Sequence, residues 1–348
     1  MSLRPSSCPD CESDLLPVNR RDFIRVTSAG AAAAAVAGPA LLRAADDKAT
    51  PETLTKKLFD SLSESQRAAV CFDWEHVDDK RKFGTLRTRV ANNWHITPQT
   101  INSDFYTKDQ RELAHAIWQG IIHPDWHARV KKQIEEDNSG PWGASQNIAI
   151  FGKPGDGKFE LVMTGRHMTV RCDGNSTEHV AFGGPLFYGH AAGAFDEEPT
   201  HPGNVYWEQA LAANKVYEML DGKQRAKAEV PSTPIEQKVG FKGEKGPLHG
   251  IPLADLTGDQ KEQVQKTLQK LIEPYRQSDR DEVVACLKAQ GGLDKCSLAF
   301  YTDEDLGEDK IWDNWRLEGP SFVWYFRGSP HVHVWVNVSA DPSVKTNA

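Results

Sequence analysis

Residues His331 to Val338 alternate without a fault. Val332, Val334, Val336 and Val338 share one parity, and His331, His333, Trp335 and Asn337 share the other. Successive side chains of a strand point to opposite faces, so this segment predicts a strand with a valine face on the core and a polar face opposite. Lys158–Cys172 repeats the design and is expected as one strand. Val162, Met168, Val170 and Cys172 fall on one parity; His167, Thr169 and Arg171 fall on the other. Further strands are expected at Gln146–Phe151, Leu186–Tyr188, Ser297–Thr302 and Phe322–Arg327, with Gly328-Ser329-Pro330 turning the last into His331–Val338.

Helical signals occupy the rest. The segment from Thr53 to about Glu136 reads as mostly helical. Four helix starts place a capping residue three positions before a Gln: Ser63–Gln66, Thr107–Gln110, Asp221–Gln224 and Thr257–Gln260. In such a box the cap and the Gln satisfy each other's orphan amides. The spacings are irregular, which argues for a repeated structural solution and against a solenoid. Tyr206, Ala210, Ala213, Tyr217 and Leu220 form one helical stripe, and Val264, Leu268, Leu271 and Ile272 another. Between Lys223 and Leu256 the chain is rich in Pro, Gly and Lys and reads as a long surface excursion. Helices packed around an antiparallel sheet give an α+β fold, expected as a single large domain over residues 46–348.

The start of the chain is an address. Asn19-Arg20-Arg21-Asp22-Phe23-Ile24 is a twin-arginine pattern, followed by an Ala- and Gly-rich run from Val26 to Leu42. A membrane span needs about 20 strongly apolar residues, and Gly30, Gly38 and Pro39 spoil this one, so no stable membrane anchor is expected. Residues 1–45 are therefore expected to be a twin-arginine export signal, cleaved between Ala37 and Ala45. The translocation machinery is then a partner, and the protein is periplasmic or extracellular. That route carries folded cargo, which often holds a cofactor loaded in the cytoplasm.

Composition narrows the partners. Lys plus Arg number 41 against 49 Asp plus Glu, a net charge of -8, which opposes nucleic acid as a partner. Ten tryptophans suggest a large core or an aromatic cleft. Cys8 and Cys11 precede the export pattern and are lost on cleavage. Cys286 and Cys296, ten apart around Gly291-Gly292, suit a small disulfide loop outside the cytoplasm; Cys71 and Cys172 are buried thiols or a second bridge.

The histidines carry the chemistry. His331 and His333 on one strand face can reach one metal ion, and imidazole suits zinc, copper and iron. If the strands share a sheet, His167 joins them as a three-imidazole site with an open position, the arrangement of catalytic sites. Arg166, Arg171, His190, His201, Trp335 and Asn337 are candidates to line a ligand cleft, with the Gly-rich, aromatic stretch Gly183–His190 allowing close backbone approach. Glu318 is a candidate general base, or an ion-pair partner of Arg316 or Arg327. Gly152–Lys158 has phosphate-loop spacing, but Phe159 stands where Ser or Thr would hold magnesium and a strand follows, so it reads as a hairpin turn. Gly-x-Ser-x-Gly, His-Glu-x-x-His and dinucleotide fingerprints are absent.

The twin-arginine leader, Gly165-Arg166-His167-Met168, Phe182-Gly183-Gly184-Pro185 and the ending from Glu318-Gly319-Pro320 to His331-Val332-His333 together resemble domain-of-unknown-function family 3500, over roughly residues 55–340. The resemblance implies an exported bacterial protein and supplies no substrate. The family's central strand usually reads Gly-His-His; Arg166 stands at the first His here, and His167 keeps the second. Two functions follow as expectations. One is a metal-dependent redox or hydrolytic enzyme acting on a small molecule. The other is a binding protein for a carbohydrate or cell-envelope ligand, stacked on Trp324 or Trp335.

Overall fold

The computed structural model describes residues 49–346, apart from 81, 83, 192–204, 305 and 308–310. The expected export signal lies outside the described residues. The first half runs α1 (Pro51–Ser61), α2 (Glu64–Val70), β1 (Cys71–Phe72), α3 (Lys108–Ile121), α4 (His127–Asn138), β2 (Asn147–Gly152), β3 (Phe159–Gly165), β4 (Met168–Cys172) and β5 (Leu186–His190). The second runs α5 (Trp207–Glu218), α6 (Gly222–Ala228), β6 (Glu229–Val230), β7 (Ile251–Pro252), α7 (Gly258–Ile272), α8 (Gln277–Ala289), β8 (Ser297–Tyr301), β9 (Asn314–Gly319), β10 (Phe322–Arg327) and β11 (Val332–Val338).

Among the described residues eleven strands join one sheet, in the order β1-β2-β3-β4-β5-β11-β10-β9-β8-β6, with β7 paired to β8. The sheet is mixed and mostly antiparallel. The expected pure antiparallel sheet is corrected at its two ends, where β1–β2 and β6–β8 are parallel.

The strand order reads the same from either end. β5 and β11 pair antiparallel in the middle, so the two halves are related by a pseudo-twofold axis through the sheet. The cap Asp221 lies 158 residues after Ser63, and Thr257 lies 150 after Thr107. The likeness reaches single contacts. Arg67 stacks on Phe59 at 4.8 Å, and Arg225 stacks on Tyr217 at 4.7 Å. The four capping boxes all form, and they meet in pairs. Gln66 and Gln110 exchange amide hydrogen bonds of 2.8 and 3.1 Å; Gln224 and Gln260 do the same at 2.9 and 2.7 Å. Each Gln also accepts from its own cap's backbone N–H, at 2.9–3.0 Å, so buried amides that would otherwise be costly are satisfied. The recurring cap is thus part of an internal structural repeat.

One sheet face packs on the helices. Ile148, Leu161, Met168, Val170, Leu186, Val334, Val336, Trp315 and Trp324 join α-helical residues such as Trp118 and Leu271 in the main core. The other face is covered by two irregular segments. Residues 73–107 bring Leu86, Trp94 and Ile96 onto Phe151 and Val162. Residues 231–250 bring Val239 and Phe241 onto Phe187, Tyr325 and Trp335. Both readings of these segments need correction. The stretch from Thr53 to Glu136 is helical only at its ends, and the excursion after Lys223 starts as α6 and then roofs the sheet.

Three further expectations change. Lys158–Cys172 is a hairpin, in which Gly165 pairs with Met168 around the turn Arg166-His167, and His167 takes φ 53°. The turn reverses the parity, so Val162 faces the irregular layer while Met168 faces the helices. Strand β9 was not anticipated; its ion pair made it look like surface. The Cys286–Cys296 disulfide does not form: Cys71, Cys172, Cys286 and Cys296 are all free. The Cys286 thiol is aimed at the His179 carbonyl, 3.6 Å away, and the Cys296 thiol at the Gly292 carbonyl, 3.8 Å away. Burial pushes both thiols up to about 12, which leaves them unreactive. The Gly152–Lys158 loop is the β2–β3 hairpin turn, closed by Lys153 N–H to the Lys158 carbonyl at 3.0 Å.

Candidate metal centre

The site lies beside the pseudo-twofold axis, where both halves contribute. The first half supplies His167 from the β3–β4 turn. The second supplies His331, just before β11, and His333 within it. In the register of β11, His333 lies between Gly189 of β5 and Arg327 of β10. Gly189 is required there. A Cβ at that position would sit 2.4 Å from His167 Cδ2 and 2.2 Å from the Val332 carbonyl oxygen. The missing side chain is the space into which the imidazole folds.

The three rings are buried, with one nitrogen of each within 4.8 Å of the others. His333 Nε2 lies 3.1 Å from His167 Nε2 and 2.8 Å from His331 Nε2. The far sides of two rings meet carboxylates. His167 Nδ1 is 2.7 Å from Asp137 Oδ2, and His333 Nδ1 is 2.8 Å from Glu236 Oε2. An ionised carboxylate only accepts, so each Nδ1 carries the proton and each Nε2 presents a lone pair. Burial pushes all three imidazoles below their ordinary range, toward the neutral form that binds metals; Asp137 opposes this at His167, and the neighbouring His167 and Arg327 reinforce it at His333. At Asp137 burial works against the carboxylate, but His167, His190 and the Ala191 amide hold it well below the usual range.

Two lone pairs facing each other at 3.1 Å repel unless a cation lies between them. Zinc–imidazole bonds of about 2.0–2.1 Å in a tetrahedron place the nitrogens about 3.3 Å apart, close to the 3.1 Å between His167 and His333 and wider than the 2.8 Å between His333 and His331. Carboxylates on the outer nitrogens are the supporting groups that metal-bound histidines characteristically have. The residues fit a transition metal held by three imidazoles.

The model of the family described as "Protein of unknown function (DUF3500)" matches residues 46–337. The chain is a DUF3500 protein. No curated protein and no solved structure matches it.

The other candidates of this DUF3500 chain are scattered. His190 lies near the centre, its Nδ1 3.7 Å from Asp137 Oδ1. Arg166 is half-buried beside His167. Arg171 is fully buried and fastens the layers together. It pairs with Glu160 at 2.6 Å and donates to the Pro185 and Arg89 carbonyls at 2.8 and 2.7 Å. Trp335 Nε1 donates to Glu236 at 3.2 Å, and Asn337 to the Val239 carbonyl at 3.0 Å. Arg171, Trp335 and Asn337 are buried, and they hold the irregular segments onto the sheet. Glu318 pairs with buried Arg316 at 2.6 Å, and it sits level with Asn337, four positions along β11 from His333 and two strands away. It is not placed to serve the histidines. His201 lies outside the described residues.

Sequence reasoning missed Asp137 and Glu236. Asp137 lies near the C-terminus of α4 and reaches the site from the helix layer. Glu236 reaches it from the opposite layer, where it also pairs with Arg327. Neither sits in a local pattern that marks it.

Proposed function

We propose that this DUF3500 protein is an exported metal-dependent enzyme whose His167, His331 and His333 hold one transition ion, copper, zinc or iron. The observation that carries the reading is the pair of Nε2 lone pairs at 3.1 Å, fixed in place by Asp137 and Glu236. Three protein ligands leave a coordination position for substrate or water, and a metal there supplies Lewis-acid or redox chemistry. Asp137 and Glu236 hold the rings in the ligating tautomer, and the two irregular segments exclude bulk water. The twin-arginine pattern supports export, with the metal loaded before translocation. Binding by stacking on Trp324 or Trp335 gains no support, because both indoles are 0% exposed.

The test is elemental mass spectrometry of the exported protein beside a His331→Ala/His333→Ala variant. The expected result is about one transition metal per chain, lost in the variant. A wild-type protein that is folded, exported and metal-free would overturn the proposal.

A further inference from the structure

Four arginines between the sheet and the irregular segments are paired with carboxylates. Arg87 and Arg171 share Glu160 at 3.0 and 2.6 Å, Arg316 has Glu318 at 2.6 Å, and Arg327 has Glu236. Arg166 is the exception. Its Nε is shielded from solvent and makes no hydrogen bond, and among the described residues its guanidinium has no ion-pair partner. The nearby carboxylates are committed elsewhere: Asp137 to His167 and the Ala191 amide, Glu236 to His333 and Arg327.

The backbone under Arg166 is firmly held. Arg166 bridges Asn93 of the irregular segment. On either side, Ile96 N–H donates to Thr164 Oγ1 at 3.0 Å and Trp94 Nε1 to Thr169 Oγ1 at 3.1 Å. The side chain is thus presented from a fixed turn, one residue from a metal ligand. A cation beside a metal dication is a like-charge arrangement, unfavourable in a partly desolvated site until an anion joins them. Guanidinium geometry suits an oxyanion, which it can grip with two parallel N–H groups.

We infer that Arg166 anchors the substrate, and that the substrate carries an oxyanion, a carboxylate or a phosphate group, bridging the guanidinium and the open position of the metal. The inference rests on the metal-enzyme reading above and adds to it the class of substrate. Arg166 then sets specificity, while the three histidines carry the ion.

The full-length protein, loaded with cobalt(II) as a spectroscopic probe, tests this. Acetate, inorganic phosphate and the neutral ligand imidazole are titrated into wild type, Arg166→Gln and Arg166→Lys, with metal content measured for each. The expected result is unchanged metal content and imidazole affinity, with oxyanion affinity about 10- to 100-fold weaker in Arg166→Gln and partly retained in Arg166→Lys. The tighter of acetate and phosphate in wild type identifies the oxyanion. Full metal content with equal oxyanion affinity in wild type and Arg166→Gln overturns this inference alone. So does an equal loss for imidazole, or no oxyanion binding to wild type. A wild-type protein that takes up no metal overturns the metal reading and this inference with it.

Discussion

Replacing Gly189 with alanine is the sharpest test of how the centre is built. The added Cβ would meet the Val332 carbonyl oxygen at 2.2 Å and His167 Cδ2 at 2.4 Å, where ordinary contact begins near 3.4 Å. Something must move by about 1 Å. The carbonyl belongs to the β5–β11 pairing, so that pairing and the imidazole of His167 must both give way. In the proposed centre its Nε2 would bond the ion at about 2.1 Å, and a shift of half that length would break the bond. Overpacking of this kind costs about 1–3 kcal/mol of stability as well. A second variant separates the two effects. Gly152→Ala meets the Lys158 carbonyl at 2.1 Å in the β2–β3 turn, at φ +69°. Both variants are expected to melt lower in the metal-free form; only Gly189→Ala is expected to lose the metal. Melting with and without chelator, beside elemental analysis, reads both quantities. A Gly189→Ala protein with wild-type metal affinity would refute the packing of His167 against Gly189.

Two further outcomes bear on the surrounding structure. Arg171→Met leaves Glu160 partly unpaired in the interior, and is expected to cost about 3–5 kcal/mol in a urea titration while metal content per folded chain stays unchanged; loss of metal without loss of stability would return Arg171 to the site. Burial, then the neighbouring Asp173 carboxylate, pushes Glu282 up to about 8. The folded state then binds the proton more tightly than the unfolded one, so stability is fully present below the ordinary carboxylate range and falls as pH rises toward 8. Glu282→Gln is expected to flatten that decline in melting curves between pH 5 and 8, and an unchanged slope would refute it.

What the sequence revealed was local. The capping boxes and the alternation of β11 depend on neighbours a few residues away, and both were legible. His167 was reached through a mistaken strand: it is a turn residue, and the hairpin brings it to the face that parity alone had assigned. Asp137 and Glu236 were invisible because their partners lie 30 and 97 residues away along the chain. Strand β9 was obscured because Arg316 and Glu318 look like solvated charges. They are buried because residues 231–250 close over them, and that roof has no regular pattern to announce it.

The pseudo-twofold axis makes the candidate centre's lopsidedness plain. Matching the halves strand by strand places Ser321 where His167 stands, and Ala181 and Gly183 where His331 and His333 stand. Neither copy carries the full ligand set, and two copies of either half assembled about the same axis would not carry it either. The cluster is therefore asymmetric: it takes one histidine from the first half and two from the second. Neither half, cut from the other, would keep all three imidazoles.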